Sequence, residues 1–354
     1  MKITALECYP LDLPLKEPYT IFYETVERSE NVILRVETDK GITGWGCAAP
    51  DLPVTGETVE TVINNFNQFM EPILHSLDPL AYIRSHEVLR NLLPGSPAAL
   101  AMADIALYDL VSKHARLPLY RFLGGYRDNI PTSMTIGILP VQETLKKARQ
   151  YVEQGFFILK LKGGRNLNED IEKMIQLRKE FGKSIALRFD GNQGYTADEA
   201  LFFIQETASV GIELIEQPTI KDDLQQLHRV TQESHLPIMA DESLTNLMDV
   251  FHLTRNDAID LVNIKLMKVG GITNSMHINS VAKAAGVEAM IGCMDECELG
   301  IAAGLHVALS RPNIHLADLD GHLDLLHDPF RGMIRLEKGI LYPGDGFGLG
   351  NIPD

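Results

Sequence analysis

Five short apolar segments in the middle of the chain, each ending on a charged residue, restrict the fold most strongly. They end at Lys162, Asp190, Glu216, Asp241 and Lys265, at intervals of 28, 26, 25 and 24 residues. A β-strand, a crossover helix and two short loops together take about 25 residues. The spacing therefore predicts five consecutive parallel strands with these charged side chains at their carboxyl ends.

Three further apolar segments extend the series to eight strands, one before it at 130–138 and two after it at 288–295 and 314–320. Eight strands with seven helices between them predict an α/β fold, a (β/α)7β barrel of the TIM type. The last strand is followed by irregular sequence that ends in a glycine-rich tail, 344–354, and not by an eighth helix. We expect this tail to pack back against the N-terminal part of the chain.

The N-terminal part has a different pattern, which predicts an α+β capping domain. Segments 31–38 and 42–47 are rich in β-branched residues and predict a hairpin, and 96–114 predicts a helix capped by Ser96. The polar and aromatic stretch 19–29 lacks periodicity and predicts an exposed loop. The expected division is a capping domain of residues 1–122, completed by 325–354, and a barrel of residues 123–324.

Charge and composition exclude several classes of partner. The formal net charge of −16 argues against nucleic acid and anionic membranes, because phosphate binding needs a basic surface. The sequence has no apolar run long enough to predict a membrane span, and its first residues lack the apolar core of a signal peptide. The four cysteines show neither zinc-ligand spacing nor a disulfide framework. These features together predict a cytoplasmic protein.

Three acids at adjacent strand ends indicate a metal site. The carboxyl ends of barrel strands converge on one mouth, so Asp190, Glu216 and Asp241 are expected to lie together. Three carboxylates repel one another unless a hard cation neutralises them, and Mg²⁺ prefers oxygen ligands. Taken one at a time, each acid could equally cap the helix that follows it. In register on successive strands, they predict one Mg²⁺ per subunit.

Lysines on both sides of this cluster indicate proton transfer. Lys160 and Lys162 are two residues apart on one strand, so both side chains point into the barrel, and Lys265 follows the third acid. A metal-held carboxylate with a lysine on each flank suits removal of an α-proton and its return to the opposite face through an enediolate. We expect the metal and the second lysine to depress the pKa of each base. Lys160 is assigned only a supporting role.

Each predicted strand end carries a short motif around its charged residue. The motifs are Lys160-Leu-Lys162, Asp190-Gly-Asn192, Ile215-Glu216-Gln217-Pro218, Ala240-Asp241-Glu242-Ser243 and Asn263-Ile-Lys265. Together with segment 117–125 (LPLYRFLGG), they resemble the enolase superfamily, muconate lactonizing subgroup, over essentially the whole chain. Segment 291–296 and the pair Asp318 and Asp320 resemble the dipeptide epimerases of that subgroup.

The resemblance implies roles for individual residues. Lys162 and Lys265 would be the acid/base catalysts, and Asp190, Glu216 and Asp241 would hold Mg²⁺. Asn192 and Glu242 would support the metal site, and the aspartates of the last strand would hold the substrate's α-ammonium group. The full set of candidate substrate-binding residues is Glu24, Asp51, Thr135, Lys160, Cys293, Met294, Asp295, Asp318 and Asp320.

One departure from the relatives bears on the substrate. Enzymes of this type that act on Ala-Glu dipeptides carry an arginine in the early first-domain loop, where this sequence has Glu24. Asp51 and Asp295 add further negative charge. An acidic pocket repels a glutamate side chain and favours lysine or arginine. The hypothesis is a dipeptide epimerase that inverts the α-carbon of the C-terminal residue and prefers cationic dipeptides.

Two alternatives stay open at this point. The first is a lyase or cycloisomerase of the same superfamily, such as an o-succinylbenzoate synthase or a muconate cycloisomerase, which shares the metal ligands and lysines. The second is a non-catalytic metal-binding barrel. The sequence does not specify the exact dipeptide, the preferred stereoisomer or whether the chain forms a homo-oligomer.

Overall fold

The computed structural model describes residues 1–352, and its N-terminal part is built on a three-stranded antiparallel sheet. The strands are β1 (Ile3–Thr20), β2 (Thr25–Thr38) and β3 (Thr43–Ala48). The predicted hairpin is confirmed, because Val32 pairs with Ala48 and Glu37 with Thr43.

The exposed loop predicted for 19–29 is wrong. Strand β1 continues to Thr20, β2 starts at Thr25, and Tyr19 pairs with Val26 across them. Ile21 and Ser29 are buried. The tip of this hairpin contacts the barrel, so its residues do not alternate between a core face and a solvent face.

Helices follow the sheet, and the longest of them lies directly against β3. A side chain at Gly46 would place its Cβ 1.9 Å from the carbonyl oxygen of Met102, so the glycine is required for this close packing. A π-helical turn, Phe66–Met70, joins the second and third helices, and a 3₁₀ turn, Pro79–Ala81, precedes the fourth. The α-helices are α1 (Leu52–Thr55), α2 (Val59–Asn65), α3 (Glu71–Ser76), α4 (Tyr82–Leu92), α5 (Pro97–His114) and α6 (Leu119–Phe122).

The predicted helix at 96–114 is confirmed as α5, but its cap differs from the prediction. Ser96 occupies the N-cap position without a capping hydrogen bond from its side chain, because its hydroxyl instead accepts from Asn65 at 2.9 Å. The carboxylate of Glu57 takes over this role and accepts from the amides of Ala98 at 2.6 Å and Ala99 at 3.0 Å. The negative charge also suits the positive end of the helix dipole.

Eight parallel strands form the barrel in the order in which they follow along the chain, as predicted. A parallel bridge between Thr132 and Ala317 closes the ring between its first and last strands. A two-residue strand, β4 (Ile130–Pro131), precedes the barrel. The barrel strands are β5 (Met134–Ile136), β6 (Ile158–Lys162), β7 (Ala186–Asp190), β8 (Ile215–Glu216), β9 (Ile238–Ala240), β10 (Leu261–Lys265), β11 (Glu288–Gly292) and β12 (Ile314–Asp318).

Seven helices connect the barrel strands, and a one-turn helix follows β10. Their buried apolar residues belong to the same continuous core as the strands, which fixes the position of each strand end. A 3₁₀ turn, Gly182–Ser184, follows the second of them. The helices are α7 (Val141–Glu153), α8 (Leu167–Phe181), α9 (Ala197–Glu206), α10 (Leu224–Glu233), α11 (Leu247–Arg255), α12 (Leu266–Val269, the one-turn helix), α13 (Ile272–Ala284) and α14 (Glu298–Ser310).

The C-terminal tail forms a hairpin and then contacts the N-terminal part. Strands β13 (Ile334–Glu337) and β14 (Ile340–Pro343) pair with each other, and β14 also pairs with β4. The predicted single strand 130–138 is therefore wrong: its first two residues join the tail, and only Met134–Ile136 joins the barrel. Among residues 1–352, no helix is both long and apolar enough to cross a membrane.

Candidate active site

The ends of three adjacent barrel strands bring a lysine and two acids side by side. Lys162 on β6 lies opposite Asp190 on β7, and Asp190 lies opposite Glu216 on β8. Asp241 directly follows β9. The three acids are almost completely buried, with at most 2% of any of them exposed. The structure thus brings together the metal-ligand candidates that the spacing predicted.

Burial and mutual repulsion act on these acids together. Burial raises the pKa of Glu216 to about 8, and the charges of Asp190 and Asp241 add to this effect. The neighbouring lysines instead hold the pKa of Asp190 below its ordinary value and that of Asp241 well below it. Without a cation, the lysines thus neutralise most of the charge of the cluster.

Lys160 lies at the centre of the acidic cluster. Its Nζ is 2.7 Å from Glu216, 3.0 Å from Asp190 and 2.8 Å from Asp318 on the last strand. Only 2% of this lysine is exposed. Burial opposes its charge, but the surrounding carboxylates outweigh burial and hold its pKa well above the ordinary value. Lys160 thus links the metal-ligand candidates to Asp318.

The two candidate catalysts approach the acids from opposite flanks. The Nζ of Lys162 is 2.7 Å from Asp190, and the Nζ of Lys265 is 2.7 Å from Asp241. Lys268 on α12 contacts the other oxygen of Asp241 at 2.6 Å. Each flank of the cluster therefore presents one lysine that also lines the open cavity, namely Lys162 or Lys265.

The pKa of Lys265 depends on the neighbouring acids. Burial lowers it, as expected, but the charges of Asp241 and Glu216 outweigh burial and hold this pKa well above the ordinary value. The depression predicted for the metal-bound site stays a prediction. A divalent cation on the acids would cancel their effect and leave burial and the neighbouring lysine to lower this pKa.

Asn192 and Glu242 lie beside the metal-ligand candidates. The amide of Asn192 donates to Asp190 at 2.9 Å, and its side chain donates to Glu242 at 3.3 Å. Burial raises the pKa of Glu242 to about 7, with Asp241 the next cause. Within residues 1–352, one side-chain oxygen of each residue is buried without a hydrogen bond.

Two further supports were not assigned a role from the sequence. The side chain of Asn263 donates to Glu216 at 2.7 Å, and the Oε1 of Gln217 accepts from the amides of Asp241 and Ser243. Asn263 precedes Lys265 by two residues on β10, so strand alternation could have placed both on the inner face. No spacing rule would have found Gln217.

The last strand contributes two aspartates to the same cavity. Asp318 accepts from the hydroxyl of Ser133 and pairs with Lys160. Asp320 accepts from the backbone amide of Thr135 at 2.6 Å through Oδ2. Burial raises the pKa of Asp320 to about 7, and the charge of Asp318 adds to the rise. Asp318 is thus held by Lys160 and Ser133, and Asp320 by Thr135.

One cavity connects Asp241, the two candidate catalytic lysines and the two aspartates of the last strand with the tip of the N-terminal hairpin. Tyr19 donates to Asp295 at 2.7 Å, which ties the hairpin to the loop after β11. The predicted substrate-binding residues on its wall are Glu24, Asp51, Thr135, Lys160, Cys293, Met294, Asp295, Asp318 and Asp320. The structure therefore brings the whole predicted set together.

The residue types suit a hard divalent cation. Within residues 1–352 no three acids are already grouped as a metal site, and the ammonium group of Lys160 lies between Asp190 and Glu216. The donor set consists of three buried carboxylates, and burial, with the charges of Asp190 and Asp241 adding to it, raises the pKa of Glu216 to about 8. All-oxygen donors suit Mg²⁺. A cation bound here would displace the ammonium groups that contact Asp190 and Asp241.

Sequence comparison identifies the family. Residues 5–124 match the family described as the mandelate racemase / muconate lactonizing enzyme N-terminal domain, and residues 143–354 match the one described as enolase C-terminal domain-like. The chain belongs to this family. It is part of the enolase superfamily, as its motifs predicted.

Several curated members of the family are similar over their full length. An L-Lys-D/L-Arg epimerase from Desulforapulum autotrophicum is 42% identical over 99% of both chains. An L-Ala-D/L-Glu epimerase from Bacillus subtilis is 39% identical over 100% of this chain and 96% of its own. A hydrophobic dipeptide epimerase from Enterococcus faecalis is 39% identical over 99% of both chains.

Solved structures of the family share the whole fold. A substrate-liganded L-Ala-D/L-Glu epimerase from Bacillus subtilis has a TM-score of 0.96 at 39% identity and covers 99% of this chain and 98% of its own. A dipeptide epimerase from Methylococcus capsulatus, complexed with Mg and the dipeptide L-Arg-D-Lys, has a TM-score of 0.94 at 37% identity and covers 99% of both chains.

Proposed function

We propose that this enzyme is a Mg²⁺-dependent dipeptide epimerase that inverts the α-carbon of the C-terminal residue of its substrate. The observation that carries the proposal is the pair Lys162 and Lys265, which line one cavity and contact the buried acids Asp190 and Asp241 from opposite flanks. The same cavity contains Asp318 and Asp320. The similarity to curated dipeptide epimerases over the full chain length supports this function.

Lys162 and Lys265 are the two bases in this proposal. They lie at the ends of β6 and β10, on opposite flanks of the acids, and therefore on opposite faces of a substrate carbon placed between them. One lysine, in its neutral form, takes the α-proton, and the other, as an ammonium group, donates a proton to the opposite face. Each turnover exchanges the protonation states of the two lysines and inverts the carbon.

Asp190, Glu216 and Asp241 would hold the Mg²⁺. When bound, the ion would supply stabilisation of the negative charge that develops on the substrate's carboxylate as the α-proton leaves. Asn263 and Asn192 orient Glu216 and Asp190 through their hydrogen bonds. These contacts fix the acids before the substrate arrives, which lowers the cost of reorganisation during the reaction.

The other end of the substrate is held at the last strand. In this proposal the α-ammonium group of the dipeptide binds to Asp320, which among residues 1–352 forms no ion pair with lysine or arginine, with Asp318 adding its charge from beside Lys160. An ammonium group is a suitable partner for buried carboxylates, because it both neutralises and hydrogen-bonds to them. Thr135 positions Asp320 through its backbone amide.

The acids at the mouth favour a cationic dipeptide. Glu24, Asp51 and Asp295 all line the cavity. Burial raises the pKa of Glu24, and the charges of Asp51 and Asp295 add to the rise. Among residues 1–352, none of the three forms an ion pair with lysine or arginine. Relatives that are L-Lys-D/L-Arg epimerases support the preference.

Proton exchange tests the function. We expect L,L-dipeptides in D₂O with Mg²⁺ to lose the C-terminal α-proton signal in ¹H NMR spectra and to accumulate the L,D diastereomer. Lysine- and arginine-containing dipeptides should react faster than L-Ala-L-Glu. Absence of exchange with every dipeptide would exclude an epimerase, and faster exchange with L-Ala-L-Glu would exclude the cationic preference.

A lyase or cycloisomerase of the same superfamily remains the alternative. Such an enzyme needs the lysines and the acids but no group that binds an ammonium ion. We therefore expect Asp320→Asn to reduce kcat/KM for a dipeptide far more than for its N-acetylated analogue. An equal reduction for both would contradict the assignment of Asp320 to the ammonium group.

We also propose the domain division predicted from the sequence, with residues 1–122 and 325–354 capping a barrel of 123–324. The family matches, 5–124 and 143–354, support the first boundary. The hydrogen bonds of Gly348 with Leu119 and of Leu349 with Asp109 support the placement of the tail. A homo-oligomer and a cytoplasmic location remain predictions.

A further inference from the structure

The cavity continues past Asp320 to a second acidic end. Its wall there includes Glu17 from β1, Lys147 and Tyr151 from α7, and Asp324 from the segment after β12. The chain segment that carries Asp324 is fixed to β1, because the amide of Lys16 donates to the carbonyl oxygen of Asp324 at 2.8 Å.

Asp324 is the acid with an unengaged carboxylate at this end. Within residues 1–352, its side chain makes no hydrogen bond and no ion pair. The nearby Lys147 is already engaged, since its Nζ contacts Glu17 at 2.5 Å and lies 5.2 Å from the centre of the Tyr151 ring. Lys147 therefore pairs with Glu17 and not with Asp324, and within residues 1–352 neither Lys147 nor Lys16 comes within ion-pair distance of the Asp324 carboxylate.

Tyr151 lines the same part of the cavity wall as these acids. Its pKa is raised first by burial and then by the charges of Asp324, Asp320 and Glu17. The pKa of Asp324 is itself raised by burial and by Glu17, against the opposing charge of Lys147. A half-buried carboxylate without a partner, facing a cavity, gains most from a cationic ligand.

This acidic end differs from the one at the mouth. At the mouth, the charges of Asp51 and Asp295 raise the pKa of Glu24. The charge of Lys265 acts in the opposite direction on the pKa of Asp51 and of Asp295. Asp324 follows Asp320 by four residues, just after a turn in which the amide of Leu323 donates to the carbonyl oxygen of Asp320 at 3.0 Å, and both aspartates line the same cavity. A dipeptide with its α-ammonium group at Asp320 would thus have its N-terminal side chain near Asp324.

We propose that Asp324 is a specificity-determining residue that binds the side-chain cation of an N-terminal lysine or arginine. This inference rests on the proposed dipeptide epimerase function. Because Lys147 is occupied by Glu17, a substrate ammonium or guanidinium group supplies the missing positive charge. Both side chains of the dipeptide then lie near acids, and Asp324 binds the side chain of the N-terminal residue.

The test compares two dipeptides that differ in charge but little in length. The ratio of kcat/KM for L-Lys-L-Ala to that for L-Met-L-Ala is measured by deuterium exchange. We expect Asp324→Asn to lower this ratio about tenfold, since it removes one charge of a partly buried pair. Lys147→Met should raise the ratio several-fold, because it removes the internal competitor.

Asp222→Asn provides the matched control. Asp222 is exposed and lies on the loop after β8, so the same loss of charge there should leave the ratio at its wild-type value. An unchanged ratio in both Asp324→Asn and Lys147→Met would overturn the role of Asp324 while leaving the epimerase intact. Failure of the wild-type enzyme to exchange either dipeptide would instead overturn the proposed function itself, and this inference with it.

Discussion

Lys162 and Lys265 each contact a different acid, which predicts that each serves one face of the substrate. Replacing either lysine by alanine should stop inversion, with a loss of about 10³-fold or more. The remaining lysine should still exchange the α-proton of the diastereomer that it faces. We therefore expect one variant to exchange only the L,L-dipeptide and the other only the L,D-dipeptide.

NMR exchange and chiral chromatography, run on the same samples, separate these outcomes. The exposed Lys183, changed to glutamine, serves as the control and should keep both activities. A variant that still inverts its substrate, or a pair of variants that both exchange the same diastereomer, would contradict the two-base assignment.

Glu216 predicts how Mg²⁺ affects stability. Burial raises its pKa to about 8, with the charges of Asp190 and Asp241 adding to the rise. A bound cation would offset both effects, so Mg²⁺ should raise Tm. A ligand at a hundred times its Kd stabilises the native state by about 2.7 kcal/mol. Glu216→Gln removes one charge of the cluster, so it should abolish most of this increase while raising Tm in EDTA.

Scanning calorimetry with and without Mg²⁺ measures both effects. Glu206→Gln alters an exposed acid on α9 and should retain the full Mg²⁺-dependent increase. A full increase in Glu216→Gln as well would remove Glu216 from the metal site.

At the scale of elements, the N-terminus of helix α5 should be stabilised more by Glu57 than by the residue at its N-cap position, Ser96. Glu57→Ala would leave the buried amides of Ala98 and Ala99 without an acceptor, at a cost of about 2 kcal/mol in the free energy of unfolding. Ser96→Ala removes no capping bond and should cost less than about 0.5 kcal/mol. Urea denaturation of both variants checks the order, which would be reversed if Ser96 were the true cap.

The elements that could be predicted are those governed by a repeat. Strand ends recur at nearly constant spacing because each βα unit must return to the same edge of the sheet, so Asp190, Glu216 and Asp241 could be located without a structure. The elements predicted wrongly depend on distant contacts. Strand 130–138 divides because β14, some 200 residues later, pairs with its first two residues.

The same distinction applies to the site. Lys162 and Lys265 lie on strands and follow from the pattern, whereas Asp324 and Gln217 lie in loops, whose position depends on packing. The hairpin tip at 19–29 could not be recognised for a related reason. It covers the barrel, so its burial is set by residues such as Asp295 that lie far along the chain.

At the scale of the whole molecule, one buried histidine links three parts of the chain. His306 on α14 accepts from the amide of Tyr120 at 3.0 Å through Nδ1, and its Nε2 lies 3.3 Å from the carbonyl oxygen of Leu349 in the tail. Burial lowers its pKa to about 4. The ring must be neutral to accept the Tyr120 bond, so protonation breaks the link.

This arrangement predicts loss of stability in acid. The folded-state pKa of His306 lies below the unfolded value of about 6.5, so its contribution is complete above that pH and declines as the pH falls toward 4. The difference corresponds to about 3 kcal/mol between pH 7 and pH 4. His306→Gln keeps one acceptor and one donor without titrating, so its urea stability should fall less over this range. The exposed His235→Gln should follow the wild-type curve, and an unchanged slope in His306→Gln would show that this histidine does not control the acid response.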